Sequence, residues 1–270
     1  MKRLAASLLG IGVLCMALPA ASLARESTGF DQYGYQAYAS GSAQCTYAYV
    51  DASDGAILDL SAASAAAPAS DDGAAVVALA APFELYGVPV NALVVSSNGY
   101  LAAGNDLTDE DGGDFSADCP LPAIADNAVA SQSRIYAYHA DLDGAPNSGT
   151  IRSRYFASCP RPSASGLDEA CSVVQWQDWA LRGQPGALDM QVVLYHASFE
   201  IALQYQALDA SLGATASIGT QGPDATSGNA FACRGNRALP QASAVCLFDP
   251  RHLPPLPIID SLFADGFDSP

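Results

Sequence analysis

Residues 93–103 read LVVSSNGYLAA, two short β-prone runs joined by Asn98-Gly99. An Asn-Gly pair between such runs is a strong hairpin signal, because a type I′ turn needs a positive φ at both central residues. Alternation along the first run places Leu93 and Val95 on the same face of a sheet. The stretch therefore predicts a β-hairpin whose register is fixed by its turn.

The rest of the chain favours an all-β protein. Strand-like runs rich in Val, Ile, Tyr, Phe and Trp recur between residues 134 and 208, separated by turn-forming segments such as DGAPNSG and RGQPGA. No stretch has a sustained 3.6-residue apolar stripe with helix caps. About a dozen short strands with hairpin-length connections predict a two-sheet antiparallel β-sandwich, jelly-roll-like and stapled by disulfides.

Composition divides the chain into five segments. Residues 1–24 have the charged start, apolar core and small-residue cleavage site of a secretory signal peptide, and the core is too short for a retained membrane span. Residues 25–44 form a polar lead-in with aromatic residues, 45–249 the β-sandwich domain, 250–257 a Pro-rich linker and 258–270 a C-terminal tail. The signal predicts export, so we expect the protein in the periplasm, at the cell surface or secreted.

The charge of the chain excludes several partners and mechanisms. Without the signal peptide it has nine arginines, no lysine and 28 acidic residues, a formal charge of −19. This field would repel nucleic acid and anionic bilayers. The lack of lysine eliminates P-loop and Schiff-base chemistry. A surface glycan or another protein remains as the expected partner.

Six cysteines follow the signal peptide, and an even number in an exported chain implies three disulfides with fifteen possible connectivities. Spacing favours two short loops, and the remaining two cysteines then form the third pair: Cys159–Cys171, Cys233–Cys246 and Cys45–Cys119. Because no pair has CxxC spacing, a zinc or thiol-redox site is not expected.

Three histidines are the candidate general bases. His196 lies in a tight hairpin and His252 in the Pro-rich linker, so we expect both to face solvent. If its strand continues, His139 shares a face with Asp141 and Asp143, and this group offers a base, half of a metal site or a hydrogen-bonded sheet end. A hydrolase using His139 and Asp141 is therefore one hypothesis, although no GxSxG elbow or zinc helix motif accompanies it.

Calcium is the cofactor that the sequence suggests. The acidic, glycine-rich loop 105–118, NDLTDEDGGDFSAD, carries oxygen ligands of the kind calcium prefers at Asp106, Asp109, Asp111 and Asp114. The spacing is not that of an EF-hand, and a solvated acidic loop is the alternative interpretation. The later segment DLDGAPN is a weaker second candidate.

Two aromatic residues are candidates for ligand binding. Trp176 and Trp179 lie three residues apart, so on a regular strand they face opposite sides and only one belongs to the core. Trp179, together with Tyr100 beside the Asn-Gly turn, is then available to stack on a sugar ring or a protein partner. Core packing is the commoner use of such residues.

Six motifs, in this order, resemble a β-sandwich module of bacterial exported proteins, with related patterns in nidogen-like and plexin-domain-type modules: PFELYG, VNALVVSSNGYLAAG, RIYAYHADLDG, CSVVQWQDW, MQVVLYHASFEIALQYQAL and ASIGTQG. The resemblance covers roughly residues 45–250. It departs from the pattern at YHADL, where His139 and Ala140 stand at or near the usual Trp and first Asp. It implies an extracellular accessory or adhesion-like module with no established catalytic residues of its own.

The end of the chain carries a separate resemblance. LFADGFDSP is similar to the IFxDGFE-type ending of exported proteins from some Gram-negative bacteria. This implies a sorting or processing tag at residues 258–270, and a docked or disordered tail is the alternative.

The sequence therefore predicts a non-enzymatic, exported bacterial β-sandwich that serves as a cell-surface or secreted binding or accessory module. A calcium-dependent carbohydrate or adhesion module is one alternative function. The secreted hydrolase is the other.

Overall fold

The computed structural model describes residues 27–63, 65–105, 107, 112–123, 133–208, 215–237 and 239–254. Over these residues the chain forms fifteen β-strands and short 3-10 turns, which confirms the all-β prediction. The predicted signal peptide and C-terminal tail lie outside the described residues, as do Asp106, Asp109 and Asp111. Within the described ranges, no helix is long and apolar enough to cross a membrane.

The strands of the first half of the chain are β1 (Gln36–Ala39), β2 (Ala56–Ile57), β3 (Ser61–Ala62), β4 (Gly73–Leu85), β5 (Val88–Ser96), β6 (Tyr100–Ala103) and β7 (Arg134–His139). Those of the second half are β8 (Leu142–Asp143), β9 (Thr150–Phe156), β10 (Cys171–Leu181), β11 (Leu188–Tyr195), β12 (Ile201–Leu208), β13 (Ser217–Gln221), β14 (Gly228–Cys233) and β15 (Ser243–Phe248).

These strands form the two antiparallel sheets that the sequence predicts. The first sheet has the order β1-β15-β12-β11-β10-β9-β2, with β8 paired to β10, and the second has the order β14-β13-β7-β6-β5-β4-β3. Most neighbours in a sheet are also consecutive in the chain, as in β9 to β12 and β3 to β7. Short connections between antiparallel neighbours are what the hairpin-length turn segments predict.

The two sheets pack face to face around one apolar core. Trp176 of the first sheet lies in the same buried cluster as Leu93 and Val95 of the second, so the predicted alternation of β5 is confirmed. The Trp176 Nε1 atom donates a hydrogen bond to the Ser96 carbonyl across the sheets, at 3.0 Å. Burying a large apolar side chain contributes about 1.5–3 kcal/mol, so this shared core holds the sandwich together.

A strap, residues 45–52, crosses the outer face of the first sheet. Its Val50 packs in a second apolar cluster with Val173 of β10. The Val50 N–H donates to Gln191 Oε1 (3.0 Å), and Gln191 Nε2 donates back to the Val50 carbonyl (3.1 Å). The strap is not part of a β-strand. A side-chain amide of the sheet therefore provides the hydrogen-bond partners of the Val50 backbone.

Residues before Cys45, predicted as a polar lead-in, also contribute to the sandwich. Strand β1 pairs with β15 in antiparallel register. Tyr35, just before β1, is fully buried in the core between the sheets. The sandwich therefore includes residues on the N-terminal side of the predicted boundary.

The six cysteines form three disulfides: Cys45–Cys246, Cys119–Cys233 and Cys159–Cys171. The pairing of Cys159 with Cys171 agrees with the prediction, and the other two predicted pairs are wrong. Cys233 ends β14 in the second sheet, whereas Cys246 lies in β15 of the first, under the strap. Closeness in sequence therefore does not bring these two sulfurs together.

The hairpin between β5 and β6 forms in the predicted place, with Val95 paired to Leu101. The predicted type I′ turn is wrong, because of its two central residues only Gly99 has a positive φ, at 78°. The Gly99 N–H donates to the Ser96 carbonyl at 3.3 Å, which closes a three-residue loop with a left-handed glycine at its end. This geometry turns the Asn98 side chain into the protein rather than toward solvent.

Candidate functional site

The turn of the β5–β6 hairpin consists of polar residues that are buried in the protein. Ser96, Ser97 and Asn98 are each fully buried, although hairpin tips usually point to solvent. We refer to these three residues as the turn hub. Buried polar groups of this kind must be hydrogen-bonded, so their partners identify the segments that the hub holds.

The turn hub fastens two loops that are distant in sequence. Asn98 Nδ2 donates to Asp72 Oδ1 (3.0 Å), and Asn98 Oδ1 accepts from the Leu142 N–H (2.9 Å). The Ser97 hydroxyl donates to the Asp71 carbonyl. Through these bonds the hub brings the loop before β4 and the loop after β7 to the same end of the sandwich.

The Asp71 group consists of the carboxylates of Asp71, Asp72 and Asp141. One oxygen of each lies within 4.8 Å of the other two. Arg182 Nη2 pairs with Asp71 Oδ2 at 2.9 Å, and Arg182 Nη1 lies 4.0 Å from Asp141 Oδ2. One guanidinium offsets only part of the charge of three carboxylates, so the group remains negative.

Two oxygens of the Asp71 group have no hydrogen-bond partner among the described residues. They are the buried Oδ1 atoms of Asp71 and Asp141. Asp71 as a whole is only 3% exposed. Burial raises the pKa of both carboxyl groups, since it disfavours their charged forms. The arrangement has oxygen ligands to spare for a hard cation.

The His139 group consists of Asp114, Asp118 and His139, on the outer face of the second sheet. One atom of each lies within 4.8 Å of the others. Arg134 Nη1 lies 2.8 Å from Asp114 Oδ2 and 3.8 Å from Asp118 Oδ2, while His139 Nε2 lies 3.2 Å from the Asp114 carbonyl. Because one guanidinium pairs with both carboxylates, the group forms a salt-bridge network around His139.

Aromatic rings enclose the imidazole of His139. Tyr136 stacks on it at a centroid distance of 5.2 Å, and Tyr100 meets it edge-on at 4.9 Å. His139 is fully buried, and this burial lowers its pKa, so the ring is neutral at pH 7. A base that solvent and substrate do not reach is poorly placed for hydrolysis.

His139 and Asp141 do not share a face, because the strand does not continue beyond His139 as the prediction required. Strand β7 ends at His139, and the Ala140 N–H then donates to the Asn98 carbonyl at 3.3 Å. The chain bends there, which sends Asp141 to the Asp71 group and leaves His139 with Asp114. The pairing on which the hydrolase hypothesis depends is absent from the described geometry.

The other two histidines differ from each other. His252 is exposed, as expected. The prediction for His196 is wrong, because this residue is half-buried: its Nε2 lies 2.9 Å from Ser172 Oγ and its Nδ1 lies 2.8 Å from the Pro82 carbonyl. It bridges the two sheets at their edge.

The expected exposure of Trp179 is also wrong. The pairing of β10 with β11 shifts register between Trp176 and Trp179, and Asp178 within this bulge has a φ of 59°. The extra residue returns Trp179 to the core side, where it is 1% exposed and donates to the Thr150 carbonyl at 3.1 Å. Tyr100 is fully buried as well, so neither ring offers a surface for stacking.

Sequence reasoning missed Asp71, Asp72 and Arg182. The first two stand in SDDG, at the end of an Ala/Ser-rich segment that reads as a loop, and nothing in the local pattern connects them to Asp141. Of the four predicted calcium ligands, Asp114 lies in the His139 group and the other three fall outside the described residues.

One comparison with known proteins gives a match. A family model described as "NIDO related" matches residues 37–247. No curated protein and no solved structure matches the chain. The matched range runs from β1 to β15, so it covers both sheets.

Proposed function

Because the chain belongs to the nidogen-related family, we propose that it is an exported, non-enzymatic module that binds a partner at the cell surface or outside the cell. The family match over most of the chain fits a β-rich, non-catalytic module. The observation that carries the proposal is the enclosure of His139, the residue best suited to acid-base chemistry, in a network with Asp114 and Arg134.

Three disulfides support the exported part of the proposal. Disulfides form and persist in oxidising compartments and are rare in the cytosol. They also suit a binding module, because they hold loops in place outside the cell without the help of a partner.

Expression of the full chain in a Gram-negative host, with cell fractionation and intact-mass measurement, tests export. We expect exported protein that lacks residues 1–24 and has the mass of three disulfides. A reduced chain of full length in the cytoplasm would contradict the proposal.

Esterase, peptidase and glycosidase screens of wild type and His139→Gln test the absence of catalysis. We expect equal blank results for both proteins. An activity that wild type shows and the variant lacks would overturn the non-enzymatic assignment.

Calcium binding is a second candidate function, and we place it at the Asp71 group. The supporting observation is the pair of buried, unpartnered oxygens on Asp71 and Asp141. Calcium takes six to eight oxygen ligands from carboxylates, carbonyls and water, which such a group can begin to supply. The Arg182 side chain is 50% exposed, so it can swing into solvent when a cation replaces it.

Calorimetric titration with calcium chloride, together with thermal unfolding, tests this candidate. We expect calcium to raise Tm, and a concentration of 100 times Kd to stabilise the fold by about 2.7 kcal/mol. Asp71→Asn should remove the response, whereas Arg182→Ala should strengthen binding because the competing cation is gone.

Asp54→Asn is the matched control for the calcium titration, since Asp54 is 84% exposed and lies outside the group. It should respond as wild type does. No heat of binding, or an equal calcium response in Asp71→Asn, would refute this site.

A further inference from the structure

A polar cavity lies beside the strap on the outer face of the first sheet. Its volume is about 470 Å³, within the range of small-molecule sites. We refer to it as the strap groove. The side chains that its argument uses come from three strands of the sheet and from the strap: Gln175, Gln177, Asp189, Gln206, Tyr49 and Asp51.

One residue that lines the strap groove, Gln175, is the last of three glutamines in a row across the sheet. Gln175, Gln191 and Gln204 are direct partners across β10, β11 and β12, so their side chains lie on the same face of the sheet. Gln204 Oε1 accepts from the Ala48 N–H (2.8 Å), and Gln204 Nε2 donates to Gln191 Oε1 (3.2 Å). Gln191 in turn exchanges hydrogen bonds with Val50. These two amides therefore hold the strap.

Gln175, the third member of the row, is different. It is 7% exposed, and its Oε1 has no hydrogen-bond partner within the described part of the chain. Its neighbour on β9 is Arg152, whose Nη1 donates to the Gly55 carbonyl at 3.2 Å. An acceptor buried without a donor costs free energy, so a ligand that brings a donor gains from meeting it.

The groups around Gln175 define the chemistry of that ligand. Asp51 and Asp189 contribute carboxylates, which accept hydrogen bonds and repel anions. Tyr49 is partly buried and offers an aromatic ring at the strap side. Hydroxyl donors, apolar ring faces and no negative charge are the properties of a neutral sugar.

We propose that the strap groove binds a neutral saccharide, with Gln175 Oε1 accepting a hydrogen bond from a sugar hydroxyl. This inference rests on the proposed binding function and names its ligand class. The groove shares no residue with the Asp71 group, so saccharide binding does not require calcium there.

The test is a titration of the purified, oxidised protein with neutral disaccharides, followed by calorimetry and NMR in EDTA. Maltose, cellobiose, lactose and N,N′-diacetylchitobiose are the probes, and a sulfated heparin disaccharide is the anionic comparison. We expect at least one neutral probe to bind and the sulfated one not to bind. Gln175→Leu should weaken binding about tenfold while Tm stays equal or rises, because it removes a buried amide oxygen that has no partner among the described residues.

Two further variants keep the test decisive. Gln206→Ala changes an exposed residue at the rim of the groove and should weaken binding even if Gln175→Leu fails to fold. Gln184→Ala, exposed and outside the groove, should bind as wild type does.

Binding by none of the neutral probes would overturn the proposal, and so would wild-type affinity in both groove variants. Binding that requires added calcium chloride and is absent in EDTA would assign the saccharide to a calcium ion and would also overturn the proposal. Export is measured separately, by mass and fractionation. Its failure would therefore leave the result for the purified protein unchanged.

Discussion

His139 shows how burial limits what a titratable side chain can do. Of the three histidines, it is the one that stands next to Asp141 and Asp143 in the sequence, so it is the natural candidate for a general base. Its ring is nevertheless fully buried between Tyr100 and Tyr136, with Nε2 directed at the Asp114 carbonyl. The residue stabilises the outer face of the second sheet as a neutral imidazole.

The lowered pKa of His139 predicts a pH effect on stability. Between pH 7 and pH 5 the unfolded chain takes up a proton at this position, whereas the folded chain resists it, so the free energy of unfolding falls as the pH falls. His139→Gln should reduce this fall, measured by urea unfolding at each pH. Asp71 and Asp141, whose pKa values are raised, act in the opposite direction in both proteins, so their effects cancel in the comparison.

His252→Gln is the control for this pH series, because His252 is exposed. It shows what the exchange of a histidine for glutamine does at an exposed position. If His139→Gln shows the same decline as wild type, the histidine does not resist protonation in the folded state.

At the residue level, the sequence does not predict which of these side chains face solvent. Trp179 was expected to face solvent because strand alternation is strict, and a bulge at Asp178 returns its ring to the core. A bulge depends on the partner strand, and nothing in VQWQDW marks it. Nothing in the sequence marks Gln175 Oε1 as an acceptor without a partner among the described residues, since this depends on where the strap lies.

Among the structural elements, the β5–β6 hairpin was predicted in place and the type of its turn was not. Alternating apolar residues around Asn-Gly suffice to locate the hairpin. Its turn type depends on two hydrogen bonds. The Leu142 N–H donates to Asn98 Oδ1 and the Ser97 hydroxyl donates to the Asp71 carbonyl, across 44 and 26 residues. Such long-range contacts are absent from any local pattern.

Gly99→Ala tests the packing of this turn. Gly99 has a φ of 78°, and an added Cβ would collide with the Tyr138 carbonyl. We expect a loss of about 3 kcal/mol or more in the free energy of unfolding, from left-handed strain and the collision together. Urea denaturation followed by tryptophan fluorescence measures it.

Gly183→Ala is the matched control, because Gly183 has a φ of 68° and open space around it. Its loss should be about 1 kcal/mol, from the backbone term alone. Equal losses in the two variants would mean that the Tyr138 carbonyl does not restrict the turn.

For the molecule as a whole, the two-sheet sandwich follows from the sequence and the disulfide pairing does not. Strand patterns and turn residues are local, so they predict the fold class. Pairing Cys246 with Cys45 requires β15 to lie beneath the strap, and pairing Cys233 with Cys119 requires β14 to lie in the other sheet. The Asp71 group is unpredictable for the same reason. Its members come from two loops that are distant in sequence and that the turn hub brings together.

Peptide mapping under non-reducing conditions checks the disulfides. We expect linked peptides for Cys45 with Cys246 and for Cys119 with Cys233. A peptide linking Cys233 to Cys246 would contradict this arrangement of strands.

Removing the long-range disulfide should cost more stability than removing the local one. Cys45 and Cys246 are 201 residues apart, and Cys159 and Cys171 are 12 apart. The chain-entropy model gives a difference of about 2.5 kcal/mol between loops of such unequal length. Double serine variants of each pair, compared by urea unfolding, test the order, and a larger loss for the local pair would reverse it.

The pairing of β1 with β15 has a consequence for how this unit can be combined with other proteins. The family match begins at Ala37 and ends at Leu247, and these two residues are direct partners across the two strands. Antiparallel partners lie about 5 Å apart, so the unit's entry and exit points adjoin each other. A domain with adjoining ends can be inserted into a surface loop of a host protein without separating the ends of that loop, and it also tolerates circular permutation.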